Sequence, residues 1–364
     1  MSASALPPMM FRAMAFAALL LAGMCRVGAA PAVSLANPNT GTQIVFLGTA
    51  GGPLLRADRS EPSTLLIVDG RGYLIDCGIG TMRRMVEAGI KSQQVRTIFF
   101  THLHADHDLG LADVMANDFF HARPAGTENV DIYGPPQTRE LVDAAFHFIT
   151  VGFRPFAAEN PSGFRIVNGQ FTNLFVAHEF KRDGVVFRDD KIRVTAVENS
   201  HYALMPAPQR KELKSYSFRI ETPHGVIVFT GDTGRSDAVV RLARGADVLV
   251  AEASSRDAAD LERLIKSVTA QMHWSAERGK KFRAHFQFEH LDTDSIGALA
   301  TKAQVKSVML YHYDPEDEAD QAAYVSGVKK HFSGPVFAPD DLDRYCIDAG
   351  TVARCPAQRG HSPH

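Results

Sequence analysis

The sequence predicts an α/β protein built as one large domain. Strand-like apolar runs alternate with helix-like segments along the chain. We find no domain-sized linker and no period typical of repeat arrays. Several apolar runs end directly in polar residues, which is where α/β folds usually place their chemistry. The formal net charge of −2 over 364 residues excludes a globally basic surface for nucleic acid.

The elements follow from the positions of the apolar runs and of the residues that end them. In the first half, strands are predicted at 43–48, 63–69, 73–76, 95–100 and 131–133, and helices at 79–88, 109–120 and 138–149. In the second half, strands are predicted at 191–197, 218–221, 226–229, 248–251 and 307–311, and helices at 237–244, 294–303 and 321–332. The apolar side chains of the two halves can form one large core.

The most informative motif follows the strand at 95–100. His102, His104, Asp106, His107 and Asp108 place three imidazoles and two carboxylates in a short stretch. Imidazole nitrogens and carboxylate oxygens together suit zinc and neighbouring transition metals. Residues two apart on a helix point in different directions, so His102 and His104 can converge only on an extended loop. The motif therefore predicts a metal site.

Distant residues supply the rest of a metal site. His201, Asp232 and His312 each follow a predicted strand, and zinc needs about four ligands per ion. A lone histidine in a chain with fifteen of them is more often structural, but the shared position after strands favours ligands. The arrangement has enough ligands for two metal ions with a bridging group.

The chain resembles metallo-β-lactamase-fold hydrolases, and within them it is most similar to the ribonuclease Z group of zinc phosphodiesterases. The resemblance covers about residues 43–340, and includes the strand and glycine turn at 44–49 and the strand-Asp-x-Gly element at 72–80. It implies a four-layer αββα sandwich and two zinc ions, with Mn²⁺ or Fe²⁺ as alternatives. It also implies the ligand sets: His102, His104 and His201 for the first metal, Asp106, His107 and His312 for the second, and Asp232 bridging both.

The resemblance also implies residues that act on the leaving group. Glu252 matches the glutamate of the family's His-Glu-Ala-Thr element, and His290 matches the histidine of its His-Ser-Thr element. Glu252 would orient His290, which would protonate the departing oxygen, and Asp106 is predicted to serve both as ligand and in catalysis. Asp76 and Asp108 are predicted to hold ligating imidazoles. The chain departs from the family at Ala251, Ser254 and 291–292, and the family's Gly/Pro-rich RNA-gripping arm is not evident.

These features predict a binuclear zinc hydrolase, most similar to a phosphodiesterase, in which hydroxide held by the metals attacks an ester. The alternatives are an exported arylsulfatase or alkylsulfatase, a lactonase or a β-lactamase-like hydrolase. The β-lactamase branch lacks a bridging aspartate like Asp232. A metal-binding module without catalysis is the alternative outside enzymes. The expected partners are a small-molecule or nucleotide ester, with RNA as an alternative, and a second copy of the chain by analogy with the family.

The N-terminus predicts export. The apolar run at 13–24 is too short to span a bilayer comfortably, and small residues follow at 27–30. We predict a secretory signal peptide at 1–29 and a single hydrolase domain at 30–364, with a periplasmic or secreted location and no stable membrane anchor. A retained apolar helix and a cytoplasmic location are the alternative. Cys346 and Cys355 flank a short loop that a disulfide could close, whereas Cys77 is predicted to be buried.

One local basic cluster stands out. Arg278, Lys280, Lys281 and Arg283 lie near Trp274 and shortly before His290. Such a cluster is commonly a solvated face, and it could also line the mouth of a pocket and attract an anionic substrate.

Overall fold

The strands are built from the apolar runs and carry the core. A computed structural model of the protein describes residues 41–52, 54–120, 129–160, 164, 166–167, 169–313 and 321–356. The predicted signal peptide at 1–29 lies outside the described residues. The strands are β1 Thr42–Gly48, β2 Ser63–Val68, β3 Arg71–Ile75, β4 Val95–Phe99, β5 Val130–Gly134, β6 Ile166–Val167, β7 Gln170–Phe171, β8 Phe175–Glu179, β9 Gly184–Arg188, β10 Arg193–Glu198, β11 Tyr216–Thr222, β12 Gly225–Phe229, β13 Val248–Glu252, β14 Ser307–Tyr311, β15 Val336–Phe337, β16 Arg344–Asp348 and β17 Thr351–Arg354.

The helices separate the strands, and most of them bury one apolar face. Several begin at a polar residue whose side chain accepts a hydrogen bond from the first turn, as Asp257 and Asp292 do. The helices are α1 Thr81–Glu87, α2 Ala105–Asp108, α3 Leu111–Phe120, α4 Thr138–Glu159, α5 Ala207–Glu212, α6 Asp237–Ala243, α7 Ala258–Gln271, α8 Ala276–Glu289, α9 Thr293–Ala303 and α10 Gln321–Lys329, with a 3₁₀ turn at Ser92–Gln94. Among these residues no helix is long and apolar enough to cross a membrane.

Two sheets pack face to face with helices on their outer sides. Within the described residues, one sheet has eight strands in the order β17-β16-β1-β2-β3-β4-β5-β8, and the other has seven in the order β15-β14-β13-β12-β11-β10-β9. Successive side chains of a strand point to opposite faces. Thus Phe46 of β1 packs in the core between the sheets, whereas Leu47 packs in a core shared with α3. A third core joins β13 to α6 and α9. This arrangement confirms the predicted αββα sandwich.

The ends of the strands meet at one edge of the sandwich. β12, β13 and β14 are parallel neighbours in the second sheet, so their carboxyl ends lie side by side. In the first sheet, Thr101 follows β4, and its carbonyl accepts a hydrogen bond from the backbone of Tyr216 at the start of β11. This contact brings the polar residues that follow strands of both sheets to the same edge.

Most predicted elements are present, with shifted bounds and several additions. The helix predicted at 109–120 is α3, which begins at Leu111, and a short unpredicted helix, α2, precedes it; the helix predicted at 138–149 runs on to Glu159. The prediction missed α7, α8 and the hairpin of β16 and β17. Cys346 and Cys355 are joined by a disulfide across this hairpin, a bond that the sequence left open, and Cys77 is free and buried, the latter as predicted.

Candidate metal centre

All residues predicted as ligands come together at this edge. His102 and His104 lie on the extended segment after β4, and α2 begins directly after His104. The first turn of α2 carries Asp106 and His107. The change from extended chain to helix turns these side chains toward a common space, which His201, Asp232 and His312 reach from β10, β12 and β14.

The first group contains His102, His104, His201 and Asp232, each with one candidate ligand atom within 4.8 Å of the others. Nε2 of His201 lies 3.1 Å from Nδ1 of His104. Oδ2 of Asp232 lies 3.8 Å from Nε2 of both His102 and His201. Ligands about 2.0–2.1 Å from a tetrahedral zinc ion lie roughly 3.3 Å from one another. The spacing of this group therefore fits one zinc-sized ion.

The second group contains Asp106, His107 and His312, with Asp232 between the groups. Nε2 of His107 lies 3.5 Å from Oδ2 of Asp106 and 3.4 Å from Oδ1 of Asp232. Nε2 of His312 lies 3.4 Å from Oδ2 of Asp106 and 3.2 Å from Oδ2 of Asp232. Asp232 thus contacts both groups, which is the position required of a bridging carboxylate.

The hydrogen bonds of these side chains test whether a metal ion fits. Nε2 of His102, His107 and His312 and Oδ1 of Asp232 are buried and have no hydrogen-bonding partner among the described residues. An unpaired buried polar atom is costly, and such groups normally find a partner. Because these unpaired atoms converge on the two groups, metal ions are the partners that fit them.

A neighbouring carboxylate and a backbone carbonyl hold two of the imidazoles with their Nε2 atoms directed inward. Nδ1 of His107 donates to Oδ2 of Asp76 at 2.9 Å, and Nδ1 of His201 donates to the carbonyl of Glu289 at 2.9 Å. These bonds leave Nε2 of each ring for a ligand. The predicted role of Asp76 fits this contact. Asp108 is buried, but it makes no hydrogen bond to these imidazoles within the part of the chain that the structure describes, so its predicted role has no contact to support it.

The backbone adopts unusual conformations at the site. His312 has a φ of 59° and Asp76 a φ of 57°, a region that non-glycine residues seldom occupy. Gly231, directly before Asp232, has a φ of 57°, and a Cβ there would lie 2.9 Å from both Cβ of Thr101 and the carbonyl oxygen of Tyr216. Glycine is therefore needed to bring Asp232 against the strand end of the other sheet.

The charges differ between the two groups. Burial lowers the pKa of His102, His201 and His104, that of His104 to about 4, so these rings stay neutral, as metal ligands must be. Burial also disfavours charge on His312, but Asp232 and Asp106 outweigh it and raise the pKa of His312 to about 10. The pKa of His107 is raised for the same reason. In the absence of metal, protons on these two rings compensate the carboxylates.

Glu252 and His290 lie directly beside the predicted ligands. Oε2 of Glu252 accepts a hydrogen bond from Nδ1 of His290 at 2.8 Å, and Oε1 accepts one from the backbone of Thr233 at 2.7 Å. Nδ1 of His290 is 4.0 Å from Oδ2 of Asp232. Burial disfavours a charged His290, yet the Glu252 carboxylate raises the pKa of His290 above its ordinary value. The structure therefore brings together the two residues predicted to assist the leaving group.

Three further residues at this edge, Tyr202, His285 and Glu289, were not predicted from the sequence. Tyr202 packs its ring against His104 and His201, with ring centroids 5.3 and 5.1 Å apart. His285 and Glu289 lie one helical turn apart on α8, and Nδ1 of His285 is 2.7 Å from Oε2 of Glu289. Their spacing of four residues would have indicated the pair if α8 had been recognised as a helix.

The basic cluster is engaged locally on the first turns of α8. Arg278 stacks on Trp274, with its guanidinium carbon 4.2 Å from the ring centroid. Arg283 donates to Glu262 of α7 at 2.6 Å, and Lys281 lies 3.3 Å from Glu277. Lys280 and Arg283 line a groove between α7 and α8. These contacts fit a solvated face.

Known proteins share this fold and its sequence pattern. A ribonuclease Z of Mycolicibacterium gilvum is 28% identical over 319 residues, which cover 86% of this chain and 98% of the relative. A ribonuclease Z of Streptococcus mutans is 31% identical over 244 residues, covering 58% of this chain and 77% of the relative. The metallo-β-lactamase fold protein YhfI from Bacillus subtilis superposes with a TM-score of 0.59 at 16% identity, covering 84% of this chain and 98% of YhfI.

The fold and the candidate metal centre define a metallo-β-lactamase-fold protein of the ribonuclease Z-like group, a class of metal-dependent hydrolases. The predicted resemblance is confirmed. Residues 42–254 match the family model described as Anti-Pycsar protein Apyc1. Because this match spans more than half of the chain, the chain belongs to the Anti-Pycsar protein Apyc1 family.

Proposed function

We propose that the protein is a binuclear, zinc-dependent phosphodiesterase that cleaves a small-molecule or nucleotide ester. The observation that carries this proposal is the convergence of unpaired buried ligand atoms beside the hydrogen-bonded pair of Glu252 and His290. The names of the curated relatives support phosphodiester cleavage. When bound, two zinc ions would supply an activated water nucleophile at neutral pH and positive charge for the phosphoryl oxygens.

Each of the two groups of residues would hold one of these ions. His102, His104 and His201 would hold the first ion and Asp106, His107 and His312 the second, with Asp232 shared between them. Asp76 keeps Nε2 of His107 directed at the second group by accepting the hydrogen bond from the other ring nitrogen. The carbonyl of Glu289 does the same for His201.

His290 and Glu252 would act on the leaving oxygen. When the bond from phosphorus to that oxygen breaks, the oxygen takes the electron pair and needs a proton if it is an alkoxide. His290 can supply this proton, because Glu252 fixes its ring and favours its charged form. Neither residue is needed for zinc binding in this proposal.

The distribution of charge favours a small ester over a long RNA. On α8, Arg283 and Lys281 contact Glu262 and Glu277, and Arg278 stacks on Trp274. The formal net charge of the chain is −2. RNA contacts depend on basic side chains that are free to meet phosphates. Ribonuclease Z relatives make RNA the alternative to test.

A substrate panel on the purified, zinc-loaded protein tests the proposal. The panel contains bis-nitrophenyl phosphate, nitrophenyl sulfate, an acyl lactone, a cephalosporin and a precursor transfer RNA. We expect cleavage of the phosphodiester above all others, and loss of that activity in Asp232→Asn and after chelation. Reconstitution with Mn²⁺ or Fe²⁺ identifies the preferred metal. Preferential cleavage of sulfate, lactone or lactam would contradict the proposed reaction.

Export remains part of the proposal, and it bears on the substrate. The disulfide between Cys346 and Cys355 supports an oxidising compartment. Full-length protein made in a Gram-negative host should be found in the periplasm with its N-terminus near residue 30. Cytosolic protein that begins at Met1 would contradict export and favour RNA processing. Light scattering on the same material tests the proposed homodimer.

A further inference from the structure

A second imidazole lies against His290. Nε2 of His290 is 3.1 Å from Nε2 of His285. The other nitrogen of each ring contacts a carboxylate: Nδ1 of His290 is 2.8 Å from Glu252, and Nδ1 of His285 is 2.7 Å from Glu289. The four side chains thus form a continuous hydrogen-bonded array, which we call the imidazole pair with its two flanking carboxylates.

The hydrogen bonds determine how many protons the imidazole pair holds. A carboxylate accepts, so each Nδ1 must carry a proton and donate it. The two Nε2 atoms can then bond only if one of them carries a proton and the other accepts. The pair therefore shares one proton between its Nε2 atoms. The shared proton is the one that His290 would give to a leaving oxygen.

The two rings differ in their access to solvent. The side chain of His290 is only 5% exposed, whereas that of His285 is 31% exposed. The ring of His285 packs beside that of His201, with centroids 5.5 Å apart. Glu289 fixes this position, because its other carboxylate oxygen accepts a hydrogen bond from the backbone of Leu204 at 2.7 Å. His285 thus lies between buried His290 and water, at the border of the candidate metal centre.

We propose that His285 is the proton relay of His290, passing protons between solvent and the leaving-group acid. This inference rests on the proposed phosphodiesterase function. As the bond from phosphorus to the leaving oxygen breaks, that oxygen takes the electron pair, replaces Nε2 of His285 as the hydrogen-bonding partner of Nε2 of His290, and receives the proton from it. Nε2 of His285, released from that bond, takes a proton from solvent and passes it to Nε2 of His290 after the alcohol has left. Over one turnover, a single water is consumed: its hydroxyl joins phosphorus, and a proton equivalent to its own reaches the leaving alcohol.

His285→Ala and His285→Gln test the relay, with Phe286→Leu as a matched control. Phe286 stacks on His290 with centroids 4.9 Å apart but carries no proton, so its loss reports on packing alone. We expect both His285 variants to lower kcat for an alkyl phosphodiester by about 10- to 100-fold, which is smaller than the usual loss of roughly 10²–10⁴-fold for a missing general acid, because His290 is still present. KM, zinc content and cleavage of bis-nitrophenyl phosphate should be unchanged. Added imidazole should restore part of the rate to His285→Ala.

Two further measurements decide between relay and structure. The double variant His285→Ala with His290→Ala should be no slower than His290→Ala, because both act in one step. Full activity of His285→Gln, or equal slowing of alkyl and nitrophenyl esters, would overturn the relay. Long-range ¹H–¹⁵N spectra give a readout independent of activity. Nδ1 of both His285 and His290 should carry a proton, and an unprotonated Nδ1 on His285 would overturn the shared proton of the imidazole pair. A wild-type protein that cleaves no phosphodiester would instead contradict the proposed function.

Discussion

A substitution at Asp76 tests how much the orientation of a ligand contributes to metal binding, because Asp76 contacts the predicted ligand His107 and is not itself a predicted ligand. Its Oδ1 accepts from the backbone of Thr101 at 2.8 Å, and its Oδ2 accepts from the Thr101 hydroxyl at 2.8 Å and from Nδ1 of His107 at 2.9 Å. Its φ of 57° is tolerated by asparagine, so Asp76→Asn changes the acceptor without adding backbone strain.

The expected loss follows from these contacts. If the amide oxygen of asparagine keeps the bond to the Thr101 backbone, its NH₂ group faces Nδ1 of His107, and two donors then oppose each other. His107 loses the partner that directs its Nε2 into the second group. Removing such a partner typically weakens metal binding by about 10- to 100-fold, or about 1.4–2.7 kcal/mol. The first group should be less affected, because Asp76 does not contact its imidazoles directly and reaches His102 through the Thr101 hydroxyl, which lies 3.1 Å from Nδ1 of His102.

Zinc titration in competition with a chromophoric chelator resolves the two binding steps. Asp247→Asn is the matched control, since Asp247 is a buried carboxylate that accepts a backbone hydrogen bond from Val226 at 2.7 Å. Asp247 directly precedes β13, and Glu252 is the last residue of this strand. At ~3.3 Å per residue the two are about 16 Å apart, so the control lies far from the candidate metal centre. The control should lose stability and keep both zinc affinities. Wild-type affinity in Asp76→Asn, or an equal loss in Asp247→Asn, would refute the reasoning.

Three other predictions concern metal and catalysis. The protein should bind about two zinc ions, and Asp232→Ala should lower that number in elemental analysis; an unchanged stoichiometry argues against a shared ligand. His290→Ala should slow alkyl esters by roughly 10²–10⁴-fold and barely slow nitrophenyl esters, with a weaker effect for Glu252→Gln; equal slowing would show a structural role. In the metal-free protein, His107 and His312 have raised pKa values, so they hold protons below the raised values and must release them to bind metal. Second-site affinity should therefore rise with pH toward about 10, the pKa of His312, and calorimetry in buffers of different ionisation enthalpy should detect the released protons; a pH-independent affinity would contradict this.

The candidate metal centre was largely predictable because its residues follow recognisable strands. Asp232 and His312 come after β12 and β14, which read as uninterrupted apolar runs, and parallel neighbours place their ends together. The sequence shows the Thr-Gly-Asp pattern that contains Gly231 and Asp232, but it does not show that Gly231 has a positive φ. The structure adds why Gly231 is required, namely the close approach of Thr101 from the other sheet.

The missed elements have physical reasons. β16 pairs with β1, so Cys346 lies opposite Gln43. These residues are about three hundred positions apart in the chain, and no local sequence pattern predicts such a pairing. α8 is largely polar, and its charged residues form a basic cluster without the apolar period that indicates a helix. As a result His285 and Glu289, which share one face of α8, were not connected to His290. Contacts between residues four positions apart can be predicted only after the segment has been recognised as a helix.

The balance of charge explains why this edge can hold ligands so closely together. Asp76, Asp106, Asp232 and Glu252 are all buried, and burying ionised carboxylates costs several kcal/mol each unless positive charge lies next to them. Protons on ring nitrogens provide that charge in the metal-free protein, and metal ions would provide it in the loaded one. At His312 the proton and the metal ion compete for the same ring. The carboxylates that make the second group attractive to a metal therefore also make it attractive to protons, and this competition makes metal loading depend on pH.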